Sequence, residues 1–147
     1  GGAGAGGSAR RPAPELAFKT LDGRETKLSE LRGKVVVLNF WFIGCGPCRV
    51  EIPSLNKLVE EFGGRDAVFI AFALDEADRL SAFLKDVPFR YQIVPGAAAL
   101  AKSFNVELFP AHVLIDKDGR IEFFLTGGSA DRDKDLRVMI EQLLKRG

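Results

Sequence analysis

Cysteine is scarce in this chain, with two residues in 147. Two cysteines close at most one disulfide, so a disulfide-stapled scaffold is excluded and the fold must stand on its apolar core. Histidine is scarcer still, with His112 alone. A structural zinc site takes four nitrogen or sulfur ligands, and one imidazole with two thiolates falls short of that set. No apolar run approaches the ~20 residues needed to span a bilayer as a helix. Neither sign of charge prevails, since 21 basic and 20 acidic residues leave a formal net charge of +1. That balance carries no electrostatic footprint for nucleic acid or for an anionic membrane as partner. What the chain does have is 46% hydrophobic residues against 28% charged, in a length that suits one domain with a proper core.

The segment Gly1-Gly2-Ala3-Gly4-Ala5-Gly6-Gly7-Ser8 is of low complexity and has nothing to bury. Pro12 and Pro14 close it. Residues 1–14 therefore read as a flexible linker, native or a cloning scar, and residues 15–147 as the folded domain. Within the domain, Leu16–Lys19 and Glu25–Leu28 flank the turn signal Asp22-Gly23, which predicts a small hairpin. Val35–Phe42 and Ala67–Leu74 are continuous apolar runs, the mark of strands buried on both faces. A helix is expected over Gly46–Phe62, stopped by Gly63-Gly64 and kinked by Pro53, which removes one backbone hydrogen bond. Further helices are expected over Asp78–Lys85, Ala97–Phe104 and Asp131–Lys145, and short strands over Tyr91–Val94, Ala111–Asp116 and Arg120–Thr126. This order predicts an α/β fold, a mixed sheet with helices on both faces.

The two cysteines fall together as Cys45-Gly46-Pro47-Cys48, directly between the first buried strand and the first long helix. A Cys-x-x-Cys at a strand-to-helix junction is a redox motif before it is anything else. Cys45 would sit at the helix N-terminus, where unpaired N–H groups and the helix dipole favour a thiolate. Cys48 follows on the same helix face, within reach of a disulfide. Pro47 suits the first helical turn, where its missing N–H is not needed.

Asn39-Phe40-Trp41, Cys45-Gly46-Pro47-Cys48-Arg49, Glu51-Ile52-Pro53 and Phe109-Pro110 before Val113-Leu114-Ile115-Asp116 form a specific combination, together with Leu21-Asp22-Gly23 and Leu28–Lys34. On these residues the chain resembles the TlpA/ResA-like branch of thioredoxin-fold thiol-disulfide oxidoreductases. The resemblance implies a thioredoxin-like fold with an N-terminal hairpin and no organic cofactor or metal. It implies attack by Cys45 and resolution by Cys48, with Pro110 as a cis-proline facing the dithiol. Gly44, Gly46, Pro47, Phe109 and Pro110 would make the motif and substrate-facing surface. Asn39 stands where thioredoxin has a buried acid, so Asp75 or Glu76, at the end of the next strand, is the candidate for proton transfer. The partners implied are a disulfide-containing protein substrate and an upstream thiol reductant, with the protein a monomer. The implied setting is outside the bacterial cytoplasm, in cytochrome c maturation or a related pathway, with the native signal or anchor missing from the chain. Two departures stand out: Gly44 replaces a common tryptophan, and Phe109 is bulkier than the usual threonine or valine.

Other readings attach to the same residues. The Gly-Pro pair between the cysteines leans toward a reducing protein, while disulfide donation would use the same groups. Some thioredoxin-fold relatives hold copper with two cysteines and a distal histidine, but with wider cysteine spacing. A thiol peroxidase lacks its Thr-x-x-Cys type of motif here. Asp75 and Glu76 read more simply as a strand end and helix cap. His112, in an apolar strand, reads as half-buried and satisfied. Phe40, Trp41 and Phe42 read as core, and the Lys and Arg residues around the last helix as a solvated face.

Overall fold

A computed structural model describes residues 10–146. The apolar runs form strands β4 (Val35–Trp41) and β5 (Ala67–Ala73), which pair in parallel, with Trp41 opposite Ala73. Strand β6 (Gln92–Val94) extends β5 in parallel. On the other side β7 (Ala111–Ile115) runs antiparallel to β4, and β8 (Arg120–Thr126) antiparallel to β7. Strand β1 (Arg11–Pro12) closes that edge against β8, giving the order β1-β8-β7-β4-β5-β6. The predicted hairpin is present as β2 (Ala17–Lys19) and β3 (Glu25–Lys27), apart from the main sheet.

Every residue of β4 is buried, because both faces of the sheet are covered. The strand period of two divides the core. Val35, Val37 and Trp41 face helices α1 (Gly46–Phe62), α2 (Ala77–Asp86) and α4 (Arg132–Leu144) through Leu55, Leu80 and Leu136. Val36, Leu38 and Phe40 pack with Phe18 and Leu28 of the hairpin region and with Ala101 of helix α3 (Ala98–Ser103). This is the thioredoxin-like arrangement of a mixed sheet with helices on both faces.

The sheet begins earlier than the boundary drawn at Pro14. Arg11 and Pro12 pair with Ile121 and Arg120, and the Ala13 N–H donates to the Gly119 carbonyl at 2.9 Å. The flexible segment inferred for residues 1–14 is corrected on this point, since Arg10–Pro14 belong to the fold. Residues 1–9 and 147 lie outside the described residues. The reason for the difference lies in Asp116 and Glu122, two buried carboxylates at the turn end of the β7–β8 hairpin. Buried charge is costly unless paired. Arg10 pairs with both, and Arg146, from the other end of the chain, lies 3.0 Å from Glu122. The polar residue before a short proline-bearing strand thus anchors that strand.

Helix α1 carries the candidate chemistry, so its seating matters most. Leu58, on its inward face, is fully buried. Leu58→Ala is expected to lower unfolding stability by about 2–5 kcal/mol through lost burial and the cavity left behind. Urea denaturation checks this, as a lowered midpoint with an unchanged slope.

Candidate active site

Strand β4 delivers the chain to the sheet edge at Trp41, and Phe42–Gly44 turn it into the dithiol. Cys45 is the N-cap of α1, with extended backbone, and its Sγ accepts the Cys48 N–H at 3.2 Å. The two cysteines are joined as a disulfide, with Cα atoms 5.2 Å apart. Both are largely buried, Cys45 at 6% exposure and Cys48 at 3%. Pro47 lies in the first helical turn, which holds no acidic residue to oppose a thiolate.

The loop before Cys45 is held from two sides. The Ile43 N–H donates to Asp75 Oδ2 at 2.8 Å, and Arg49 donates to the Ile43 carbonyl at 3.2 Å. Asp75 lies at the same sheet edge as the dithiol, as the parallel β4–β5 pairing requires. Its other oxygen is 3.6 Å from Arg79. Glu76 is exposed at the N-terminus of α2 and makes no side-chain cap bond. Neither carboxylate has a hydrogen bond to a cysteine among the described residues.

The Phe109–Pro110 peptide is cis. Phe109 packs against the core cluster that includes both cysteines, and its ring meets Phe42 edge to face at 5.6 Å between centroids. Where Gly44 removes an aromatic from the rim, Phe42 and Phe109 supply one. Phe42, assigned to the core from sequence, is therefore only partly buried, whereas Phe40 and Trp41 are core. The segment after β8 ties both prolines together. The Gly127 N–H donates to the Pro110 carbonyl at 3.0 Å, and a Cβ built on Gly128 would stand 2.7 Å from Pro47 Cβ and 2.8 Å from its carbonyl oxygen.

Beneath the dithiol lies a group that sequence reasoning missed. Glu51, three residues after Cys48 on the inward face of α1, is fully buried. Its Oε1 is 2.7 Å from His112 Nε2, and its Oε2 accepts from the Ser129 N–H and from Arg132 Nε, both at 3.0 Å. Arg132 also donates to Asp135 at 2.8 Å and to the Gly127 carbonyl at 2.7 Å. Two expectations are corrected here. His112 is fully buried, and only one ring nitrogen is satisfied, for Nδ1 has no partner among the described residues. Arg132 leaves the solvated face of the last helix because the Glu51 carboxylate draws it inward. The signal available in sequence was a glutamate at an inward position of the stripe Cys48, Ile52, Leu55 and Leu58. Asn39, the cross-strand partner of His112, is buried and donates to the Ala111 carbonyl at 3.2 Å. No group of three or more His, Cys, Asp or Glu side chains among the described residues is placed to hold a metal ion. The histidine that a copper site would need is engaged with Glu51.

Comparisons with known proteins agree with this geometry. The model of the AhpC/TSA family matches residues 9–124. The chain is similar to the thiol-disulfide oxidoreductase ResA of Bacillus cereus (strain ATCC 10987 / NRS 248), at 31% identity over 92% of this chain and 76% of that protein. The thioredoxin-like protein YneN of Bacillus subtilis (strain 168) is 28% identical over 88% of this chain and 78% of its own length. Among solved structures, one from Chlorobium tepidum assigned as the thiol:disulfide interchange protein DsbE superposes with a TM-score of 0.84 at 27% identity. That match covers 92% of this chain and 96% of the other. A Bacteroides thetaiotaomicron structure assigned as a protein disulfide isomerase gives a TM-score of 0.81 at 31% identity, covering 93% and 90%.

Gly128→Ala is expected to push Pro47 and the adjoining turn outward, costing about 1–3 kcal/mol by overpacking. It should also change the rate at which iodoacetamide labels the reduced dithiol. Thermal unfolding and timed alkylation check the two effects.

Proposed function

The chain belongs to the AhpC/TSA family and is a thiol-disulfide oxidoreductase of the TlpA/ResA-like kind, and from that premise we propose that it reduces protein disulfides by attack of Cys45 and resolution by Cys48. The observation that carries the roles of the two cysteines is the position of Cys45 as N-cap of α1, where the helix dipole and the Cys48 N–H favour negative charge on its sulfur, while the Gly46-Pro47 pair leans toward reduction. The Cys45 thiolate attacks one sulfur of the substrate disulfide. A mixed disulfide forms and the other substrate sulfur leaves as a thiolate. Cys48, once deprotonated, attacks Cys45 Sγ, releases the second substrate thiolate and closes the Cys45–Cys48 disulfide. Two electrons pass from the enzyme to the substrate, and an upstream thiol reductant restores the dithiol.

Pro110 and Phe109 form the wall against which a substrate segment lies, with Gly44, Gly46 and Pro47 on the facing side. Asp75 acts in this reading by fixing the turn before Cys45, through its bond to the Ile43 N–H, rather than as the proton carrier. Glu76 has no contact that supports a catalytic part. The protein acts as a monomer outside the cytoplasm, in cytochrome c maturation or a related pathway, a setting supported by the sequence resemblance. Disulfide donation through the same groups is the second reading, and the helix-end stabilisation of a thiolate is what favours it, since a stabilised reduced form makes a stronger oxidant.

Cys45→Ser is expected to abolish insulin reduction driven by dithiothreitol, and Cys48→Ser to accumulate mixed disulfides visible by mass spectrometry. Faster alkylation of Cys48 than of Cys45 in the reduced protein would reverse the assignment. The equilibrium potential against glutathione decides direction. A value near that of thioredoxin, about −270 mV, fits reduction, and one near about −120 mV fits donation.

A further inference from the structure

Helix α1 places Glu51 one turn below Cys48 on its buried face, and three separate elements converge on that carboxylate. Arg132 and the Ser129 N–H both donate to Oε2, and His112 meets Oε1. With a guanidinium and a backbone N–H on one oxygen, the carboxylate is held as an anion that accepts the Nε2–H of His112. The second ring nitrogen, Nδ1, is buried with no hydrogen-bond partner among the described residues. A buried polar atom without a partner is costly, and it is a place where a proton can be added. Histidine is also the side chain that ordinarily changes charge near neutrality.

We propose, resting on the dithiol reading above, that His112 is a positioning residue that stores a proton in step with the redox state of the Cys45–Cys48 pair, with Glu51 and Arg132 as its fixed counter-charges. In the oxidised protein the Arg132–Glu51 pair is neutral overall and His112 carries no charge. Reduction adds two electrons to the disulfide. One proton goes to Cys48, Cys45 remains a thiolate, and the new negative charge makes His112 bind a proton on Nδ1 more readily. Reoxidation releases what reduction took up. Between the two His112 midpoints, reduction then consumes more than one proton per two electrons, up to about 1.5 for a midpoint shift of 1 pH unit.

The surroundings leave His112 as the free partner for this role. From α1 it meets Glu51, with the two cysteines a turn above. From α4 comes Arg132, which reaches Glu51 and whose other nitrogens are engaged by Asp135 and the Gly127 carbonyl, while Asp133 pairs with Arg137. Its strand neighbours are Asn39 on β4 and Leu125 on β8, neither of which titrates. Tyr91 stays protonated, because burial and the nearby Glu51 charge push its hydroxyl far above its usual range.

The chain has one histidine, so a single imidazole resonance reports on it. The experiment is a proton NMR titration of the whole protein, oxidised and then reduced with dithiothreitol, from pH 5 to pH 9. A thiolate on the order of 10 Å away in a partly shielded interior should raise the His112 midpoint by about 1 pH unit on reduction. A midpoint identical in the two states, or a resonance that does not titrate in either, overturns the proposal. The redox potential measured across the same pH range gives the proton count independently. It should fall from about 1.5 protons per two electrons, reached between the two His112 midpoints, to one in His112→Gln, and an unchanged count in a folded variant again overturns it. Should His112→Gln fail to fold, the wild-type titration stands by itself. If the pair does not cycle reversibly with dithiothreitol at all, the dithiol reading fails. If it cycles while the His112 signal stays still, only this proposal fails.

Discussion

A carboxylate placed in the interior must be answered, and Glu51 is answered by parts of the chain that share nothing else. Its partners sit on β7, on the segment after β8 and on the first turn of α4, at sequence separations of 61, 78 and 81 residues. Removing one member of such a set leaves an uncompensated buried charge, which typically costs about 3–5 kcal/mol. The carboxylate thereby specifies how α1 and α4 sit over β7, a degree of order that apolar packing alone leaves soft. The same set anchors the Gly127–Gly128 segment, which lies against Pro47 and bonds to the Pro110 carbonyl. Order under the helix is thus transmitted to the two prolines that frame the sulfurs.

Above this layer the site is built from backbone more than from side chains. The thiolate of Cys45 is favoured by a helix end, the turn before it by a partly buried aspartate that accepts one N–H, and the facing wall by a strand that starts at a proline. Few titratable groups surround the sulfurs themselves. Charge lies one layer down, where it acts through the interior rather than by contact, and low polarizability there makes a single elementary charge felt over a longer range than at the surface.

Much of this was legible in the sequence. The bounds of α1 follow from Cys45 and Pro47 at one end and Gly63-Gly64 at the other. Strands β4 and β5 follow from unbroken apolar runs, and β7 and β8 from the short strands expected over Ala111–Asp116 and Arg120–Thr126. The cis Phe109–Pro110 bond followed only from family resemblance, because local preference runs against it. The Glu51 set was not read, since periodicity treats an inward glutamate as an irregularity and gives no means of finding partners on distant strands. Arg132 looked like any basic residue on a solvated helix for the same reason. Strand β1 was missed because two residues with Pro12 at a sheet edge leave no pattern, and what secures it is a pairing with acids more than a hundred positions away.

Those acids give the molecule a polarity. Asp116 and Glu122 lie at the amino-terminal edge of β4, because β7 runs opposite to it, while the sulfurs lie beyond the carboxyl-terminal edge. Arg10 and Arg146 are both secured at the first of these edges. The described fold therefore starts, at Arg10, on the side remote from the sulfurs. The two ends of the described chain and the reactive sulfurs thus occupy opposite edges of one sheet.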